Sequence, residues 1–380
     1  MAQHRPCGNP SCSNKTRVKY VYCDTCRANK TTTVTVLDTV VVRPPSPHEQ
    51  VGEDRQRIRA AGELAGLRAR YKESLSTIDS LEQQLRATNV LRQSVDVFEI
   101  APRMGSGTSE ATPVIVASDW HVEELVGSEV GGLNRYTPEI ATERATTFFQ
   151  AALRLVRLLQ QDVTIYTCVL ALLGDFITGN IHGEETAEKN ELTPTHAIVH
   201  AQNLLISGIE FLLNNSTLDF IIPCHSGNHA RTTQKTRFGS ENGHSLEYLM
   251  YLHLAAYFRT EKRLTFIIPD GMHSYLDIYG RVLRFHHGHA VKYGGGVGGI
   301  YIPVKKAIAQ WNKGRAVELD VFGHFHQLRD GGDFICNGSM IGYNAFALSI
   351  KADYELPKQA LFLMDKKRGR TAMWPIVFRR

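Results

Sequence analysis

The chain has 380 residues, a formal net charge of +5, and is 43% hydrophobic and 21% charged. That is the profile of a globular protein with room for one large domain and smaller modules, not of a disordered or collagen-like chain. No apolar run is long enough to cross a bilayer as a helix and the first residues are polar, so neither a transmembrane helix nor a secretory leader is expected, and the expected location is cytoplasmic.

The N-terminal stretch carries Cys7, Cys12, Cys23 and Cys26, spaced C-x4-C-x10-C-x2-C. In a reducing compartment that spacing reads as a closed four-thiolate zinc site rather than as disulfides. The same 30 residues hold Arg5, Lys15, Arg17, Lys19, Arg27 and Lys30 against one acid, Asp24, and this local basic excess favours contact with a nucleic-acid backbone. Cys168, Cys224 and Cys336 lie singly in or beside apolar runs, as small buried hydrophobes do. The β-prone 31–42 completes a zinc-binding module over 1–42, and the proline-rich 43–48 reads as a linker.

Residues 49–95 turn charged and helix-favouring. Leu64, Tyr71, Ile78 and Leu85 recur every seven residues, with Leu67, Ser74, Leu81 and Thr88 at the complementary position. That is a coiled-coil seam weakened by two polar residues, so the segment is either a device for homo-oligomerisation or one amphipathic helix. A second linker is expected over 96–112, and a catalytic domain over 113–380. Within that domain strands are predicted at 114–118, 164–173, 218–222, 264–268, 273–279, 281–286, 317–322 and 333–336. Helices are predicted at 138–161, 195–213, 241–258 and 303–313.

Four of these apolar runs end in short turns rich in oxygen and imidazole donors. The turns are Ser118-Asp119-Trp120-His121, Leu173-Gly174-Asp175, Ser226-Gly227-Asn228-His229 and Gly323-His324-Phe325-His326, and a fifth segment is His286-His287-Gly288-His289. Strands delivering their last residues to one edge of a sheet would gather these donors. Carboxylate, amide oxygen and neutral imidazole suit manganese, iron, zinc or magnesium. Asp175 can bridge two ions through its two oxygens, and His324 and His326, two apart, share a face of an extended segment. His286 and His287 alternate, so only one of them can face the metals.

In this order the segments resemble the calcineurin-like metallophosphoesterase superfamily, over roughly 113–337. The stretches 174–182, 227–231 and 293–300 are similar to its phage-encoded, uncharacterised members. The resemblance implies an α/β fold, a four-layer αββα sandwich, here with an N-terminal zinc knuckle and the helical segment. It implies one metal on Asp119, His121, Asp175 and His326 and a second on Asp175, Asn228, His287 and His324. Manganese is the first choice, with iron, zinc, magnesium or nickel as alternatives, and His229 is the catalytic histidine. Where many members have an acid after Gly-Asn-His this chain has Ala230 and then Arg231, which is expected to clamp phosphate. Where the phosphoprotein phosphatases place an Asp that orients the catalytic histidine, it has Thr178, so the partner of His229 is open.

The expected function is a two-metal phosphodiesterase or nuclease, in which a hydroxide bridging the ions attacks phosphorus in line. The alternatives are a small-molecule phosphatase or cyclic-nucleotide phosphodiesterase and, in a different class, a non-catalytic nucleic-acid-binding or scaffold protein.

Overall fold

A computed structural model describes residues 4–6, 15–17, parts of 55–72, 98–103, 109–181, 188–293, 299–349 and 352–378. The chain divides into two units, Met1–Leu85 and Arg86–Arg380. In the first, β1 (His4–Pro6) pairs antiparallel with β2 (Lys15–Arg17). The four cysteines of the expected zinc site, 31–42 and most of the heptad seam lie outside the described residues. Within 65–72, which is helical, Leu67 and Tyr71 are exposed. No helix among the described residues is long and apolar enough to cross a membrane.

The second unit is built on two six-stranded, mostly parallel sheets. One runs in the order β14 (Gly369–Val377), β13 (Lys358–Asp365), β4 (Ala111–Ala117), β5 (Thr167–Leu172), β6 (Asp219–Pro223), β7 (Leu264–Ile267). The other runs β11 (Arg329–Asp330), β12 (Phe334–Cys336), β10 (Leu319–Phe322), β9 (Arg281–Phe285), β8 (Ser274–Ile278), β3 (Phe98–Ile100). Every residue of β4 and of β5 is buried, because both faces of these central strands are covered.

Alternation along β4 and β5 divides the core. Val114, Val116, Val169, Ala171 and Leu173 join Leu276, Leu283, Phe285 and Val321 of the other sheet in one apolar layer. Ile115, Leu170 and Leu172 turn the other way, against α1 (Pro138–Leu159), α2 (Pro194–Asn214) and α3 (Leu246–Tyr257). Helix α4 (Tyr301–Gly314) covers Phe322, Phe334 and Cys336 on the second sheet, and a short α5 (Ala345–Ser349) follows. Two sheets flanked by helices are compatible with a sandwich. Helix α1 starts where Thr137 accepts a hydrogen bond from the Ile140 amide ahead of Pro138.

Two features differ from the sequence reading. Phe98–Ile100, inside the expected 96–112 linker, pairs in parallel with β8, and Ile100 is buried in the core between the sheets. The basic run at Lys366 to Arg370 is the tip of the β13–β14 hairpin, where Asp365 Oδ1 accepts from the Lys367 and Arg368 amides and Gly369 has φ of 74°.

Candidate metal centre

Strands β4, β5, β6, β9 and β10 all end at one edge of the sheets, and their C-terminal turns are laced together by backbone. The Asp119 amide donates to the Gly174 carbonyl at 2.9 Å, and Trp120 donates to the Asp175 carbonyl at 2.8 Å. Of the six non-glycine residues with positive φ among those described, five are Asp119, His121, Asp175, His324 and His326, all expected ligands. Such backbone costs on the order of 1–3 kcal/mol per residue and concentrates where function requires it. Gly174, at φ 83°, lies so close to the neighbouring turn that a Cβ there would sit 2.2 Å from the Gly227 nitrogen.

The side chains converge in three overlapping groups: Asp119, His121 and His326; His121, Asp175 and His229; Asp175, His287 and His324. In each group the donor atoms lie within 4.8 Å of one another. His287 Nε2 is 2.9 Å from Asp175 Oδ2, His121 Nε2 is 3.2 Å from His326 Nε2, and His326 Nε2 is 3.4 Å from Asp119 Oδ1. Donors about 2.0–2.2 Å from a common ion at angles near 90–110° would stand about 3.0–3.5 Å apart, so these are the spacings of a coordination shell. Asp175 Oδ2, Asn228 Oδ1 and His287 Nε2 are buried without a well-aligned hydrogen bond. Buried polar atoms are rarely left so, and a bound ion explains them. The buried His and Asp residues therefore fit a metal site.

Two of the imidazoles have Nδ1 partners that turn Nε2 toward the site. His287 Nδ1 donates to the Leu173 carbonyl at 2.6 Å, which leaves Nε2 for the site. Thr178 Oγ1 donates to Glu124 Oε2 at 3.1 Å and stands 2.9 Å from His121 Nδ1, whose proton it accepts. Burial holds His121 and His324 well below the usual imidazole pKa, so both are neutral. Burial also opposes charge on His287 and His326, but Asp175 outweighs it at His287, lifting it to about 10, and Asp119 raises His326. For Asp175 burial pushes upward, and the surrounding imidazoles, His287 first, hold it well below the carboxylate range. A cation would take the place of those protons between carboxylate and imidazole.

The open question about His229 has an answer here. Its Nδ1 donates to the Thr178 backbone carbonyl at 2.9 Å, and Nε2 lies 4.0 Å from Asp175 Oδ2. Thr178 thus orients two histidines, one through its hydroxyl and one through its carbonyl. Arg231, expected to clamp phosphate, instead donates to the carbonyls of Asn228, Thr233 and Gln234, its planar fork bracing its own loop. His287 turns toward Asp175 and His324, in phase with Leu283 and Phe285. His286 faces away, 3.3 Å from Asp320 and stacked on Phe322. Asp320 in turn pairs with the buried Arg284 guanidinium at 2.6 and 2.9 Å.

Sequence reasoning missed two carboxylates. Glu123 Oε1 accepts from the Thr178 and Gly179 amides at 2.7 and 2.8 Å. Glu247, in the first turn of α3, accepts from Phe176 and Gly227, each at 2.6 Å, and so ties the β5 and β6 turns together. Burial raises Glu123 to about 7, and burial together with Asp175 raises Glu247 to about 8. The one local hint was a Glu two residues after the cap residue Ser245, which reads equally well as an ordinary first-turn acid.

No protein-family model matches the sequence, and no curated protein matches it. Among solved structures, a hypothetical protein from Pyrococcus horikoshii OT3 aligns at 14% identity and a TM-score of 0.35, over 71% of this chain and 89% of that one. Vps29 from Chaetomium thermophilum aligns at 8% identity and 0.24, over 71% of this chain and 97% of its own. The sulfate thiohydrolase SoxB from Thermus thermophilus aligns at 10% identity and 0.29, over 73% of this chain and 58% of that one. At these TM-scores the three likenesses carry no inference about substrate or mechanism.

Proposed function

We propose that this chain is a metal-dependent phosphoesterase of the calcineurin-like type, with two divalent ions and a phosphodiester, most naturally nucleic acid, as substrate. The observation that carries this reading is that Asp175 belongs both to the group with His287 and His324 and to the group with His121, which itself joins Asp119 and His326. One ion would be held by Asp119, His121, Asp175 and His326, and the other by Asp175, Asn228, His287 and His324. Manganese is the first candidate for this donor set. When bound, such a pair supplies a water of lowered pKa and neutralises charge on a phosphoryl group.

The protein's own residues do the rest by position. Asp175 Oδ1 is anchored by the His229 amide at 2.9 Å, which aims Oδ2 inward. His229, its Nδ1–H committed to Thr178, presents Nε2 beside Asp175, and its side chain keeps 19% exposure. When that nitrogen also carries a proton, His229 can donate it at the rim to an arriving phosphoryl or departing oxygen. Glu123 and Glu247 hold the turns at fixed spacing, so little reorganisation is needed when substrate enters.

The test is hydrolysis, with added manganese, of single- and double-stranded DNA, RNA, bis(4-nitrophenyl) phosphate and 4-nitrophenyl phosphate. Turnover of the diesters exceeding that of the monoester is the expected result. Monoester turnover alone would replace this reading with that of a small-molecule phosphatase, and no turnover of any substrate would defeat it. Nucleic acid is favoured by the basic N-terminal stretch and by Cys7, Cys12, Cys23 and Cys26, proposed as one structural zinc site. Elemental analysis of Cys23→Ser should then show one zinc fewer per chain, with weaker binding to DNA or RNA. An unchanged zinc content would rule the site out.

A further inference from the structure

Thr178, buried beside His121, is one link in a longer chain of side chains. Beyond it stands Glu124, whose Oε2 accepts from the Thr178 hydroxyl at 3.1 Å. Glu124 Oε1 accepts from Asn344 Nδ2 at 2.8 Å, and Asn344 Oδ1 accepts from the Ala347 amide at 3.0 Å. Asn344 is buried and immediately precedes α5, where an Asn side chain commonly takes up an amide of the first turn. The chain thus runs from α5, through the turns that follow β4 and β5, to a candidate ligand of the metal centre.

Each proton in this chain has one possible direction. A backbone N–H only donates, so Asn344 must turn Oδ1 to Ala347 and Nδ2 to Glu124. A carboxylate accepts at both oxygens, so the Thr178 hydroxyl must give its single hydrogen to Glu124. Its oxygen can then only accept from His121 Nδ1, 2.9 Å away. With Nδ1 protonated and the imidazole neutral, Nε2 keeps its lone pair, in the group formed with Asp119 and His326. The hydroxyl alone could not decide this, because it donates or accepts with equal ease and would satisfy either tautomer of His121.

We infer that Glu124 and Asn344 are positioning residues that hold His121 in the tautomer able to bind a metal, acting through the Thr178 hydroxyl. The inference rests on the metal-centre reading of His121, and the test separates the two. In Glu124→Gln, Asn344 still offers N–H, so the new amide must turn its oxygen to Asn344 and its NH2 to Thr178. The Thr178 hydroxyl then donates to His121 Nδ1, the imidazole proton sits on Nε2, and the nitrogen meant for a metal is blocked. Adding Asn344→Asp turns the outer bond around. The new carboxylate accepts from the NH2 at position 124, whose oxygen is again free to accept from Thr178. Shape and net charge of the pair match the parent, so the double variant restores the direction of the protons with the two groups exchanged.

Imidazole nitrogen resonances of the metal-free full chain report the tautomers, the His121 signals being identified by their loss in His121→Asn. The expected result is Nδ1–H in the parent, Nε2–H in Glu124→Gln and Nδ1–H again in the double variant. Manganese titration of the same proteins should show one of two sites weakened about ten- to a hundredfold in Glu124→Gln and restored to within about threefold in the double variant. Residues that merely support the turns would leave the double variant no better than the single one, and that outcome overturns the inference. An Nε2–H tautomer in the parent overturns it too, and does so even if Glu124→Gln fails to fold. A parent that binds no manganese is the failure of the metal-centre reading instead, and the tautomers then decide the inference alone.

Discussion

Asp175→Asn is expected to lower phosphodiester turnover by roughly a thousandfold, about 4 kcal/mol of transition-state stabilisation, and to reduce the metal content of the chain. The side chain is 1% exposed, with Oδ1 bonded to the His229 amide and Oδ2 2.9 Å from His287 Nε2. Asparagine keeps the shape and the Oδ1 acceptor but puts an uncharged NH2 group where a cation would meet a carboxylate oxygen. The same change removes the carboxylate that pairs with His287 in the metal-free fold, so thermal unfolding of the metal-free variant should fall several degrees below the parent while the chain still folds. Activity, bound metal by elemental analysis, and melting together decide the matter. A variant that retains both full metal content and full turnover would show that Asp175 is not a bridge. A variant that fails to fold would show that its role is structural.

That prediction was available from sequence because the strands feeding the site announce themselves. PVIVA before Asp119 and VLALL before Gly174 are short unbroken apolar runs, the signature of strands buried on both faces, and β4 and β5 are such strands. The turns after them are legible because ligand chemistry restricts residue type: few functions ask for Asp-x-His after one strand and Gly-Asp after the next. Alternation also foretold that His286 and His287 would part company, although it could not say which would face inward.

What stayed hidden was anything whose meaning lies in a distant backbone. Glu123 and Glu247 look like surface acids in sequence, because nothing local tells that their partners are amides 55 and 71 residues away. The Thr178 carbonyl, which holds His229, has no side-chain signature at all. Arg231 is harder to read for the opposite reason. A guanidinium beside a phosphate site suggests a clamp, but three carbonyls of its own loop are nearer competitors for its donors. The hairpin at the C-terminus was obscured by its charge. Lys366-Lys367-Arg368 by itself reads as a solvated basic run, while the apolar Ala360-Leu361-Phe362-Leu363 before it and Gly369 after it spell a strand and its turn.

Gly174→Ala should destabilise the second unit by about 2–6 kcal/mol. Two costs add. The residue sits at φ 83°, where an L side chain is strained by about 1–3 kcal/mol. Its new Cβ would lie 2.2 Å from the Gly227 nitrogen and 2.7 Å from Gly227 Cα, and backbone cannot rotate away as a side chain can, so overpacking adds about 1–3 kcal/mol. Relief requires the β5 and β6 turns to separate, but Glu247 holds Phe176 and Gly227 together across that seam. Asp175 and Asn228 ride on the two turns, so their separation also spreads the ligand set, and a shift of about 1 Å at a reacting centre can cost on the order of a hundredfold in rate. Gly131→Ala isolates the first cost, since Gly131 has φ of 63° with nothing within 4 Å of the added carbon. Urea unfolding of the two variants should therefore place Gly131→Ala about 1 kcal/mol below the parent and Gly174→Ala several kcal/mol further down, with turnover falling only in the latter. Equal stability of the two variants would mean that the turns can part freely, and that the close approach of Gly174 to Gly227 is not what holds Asp175 and Asn228 together.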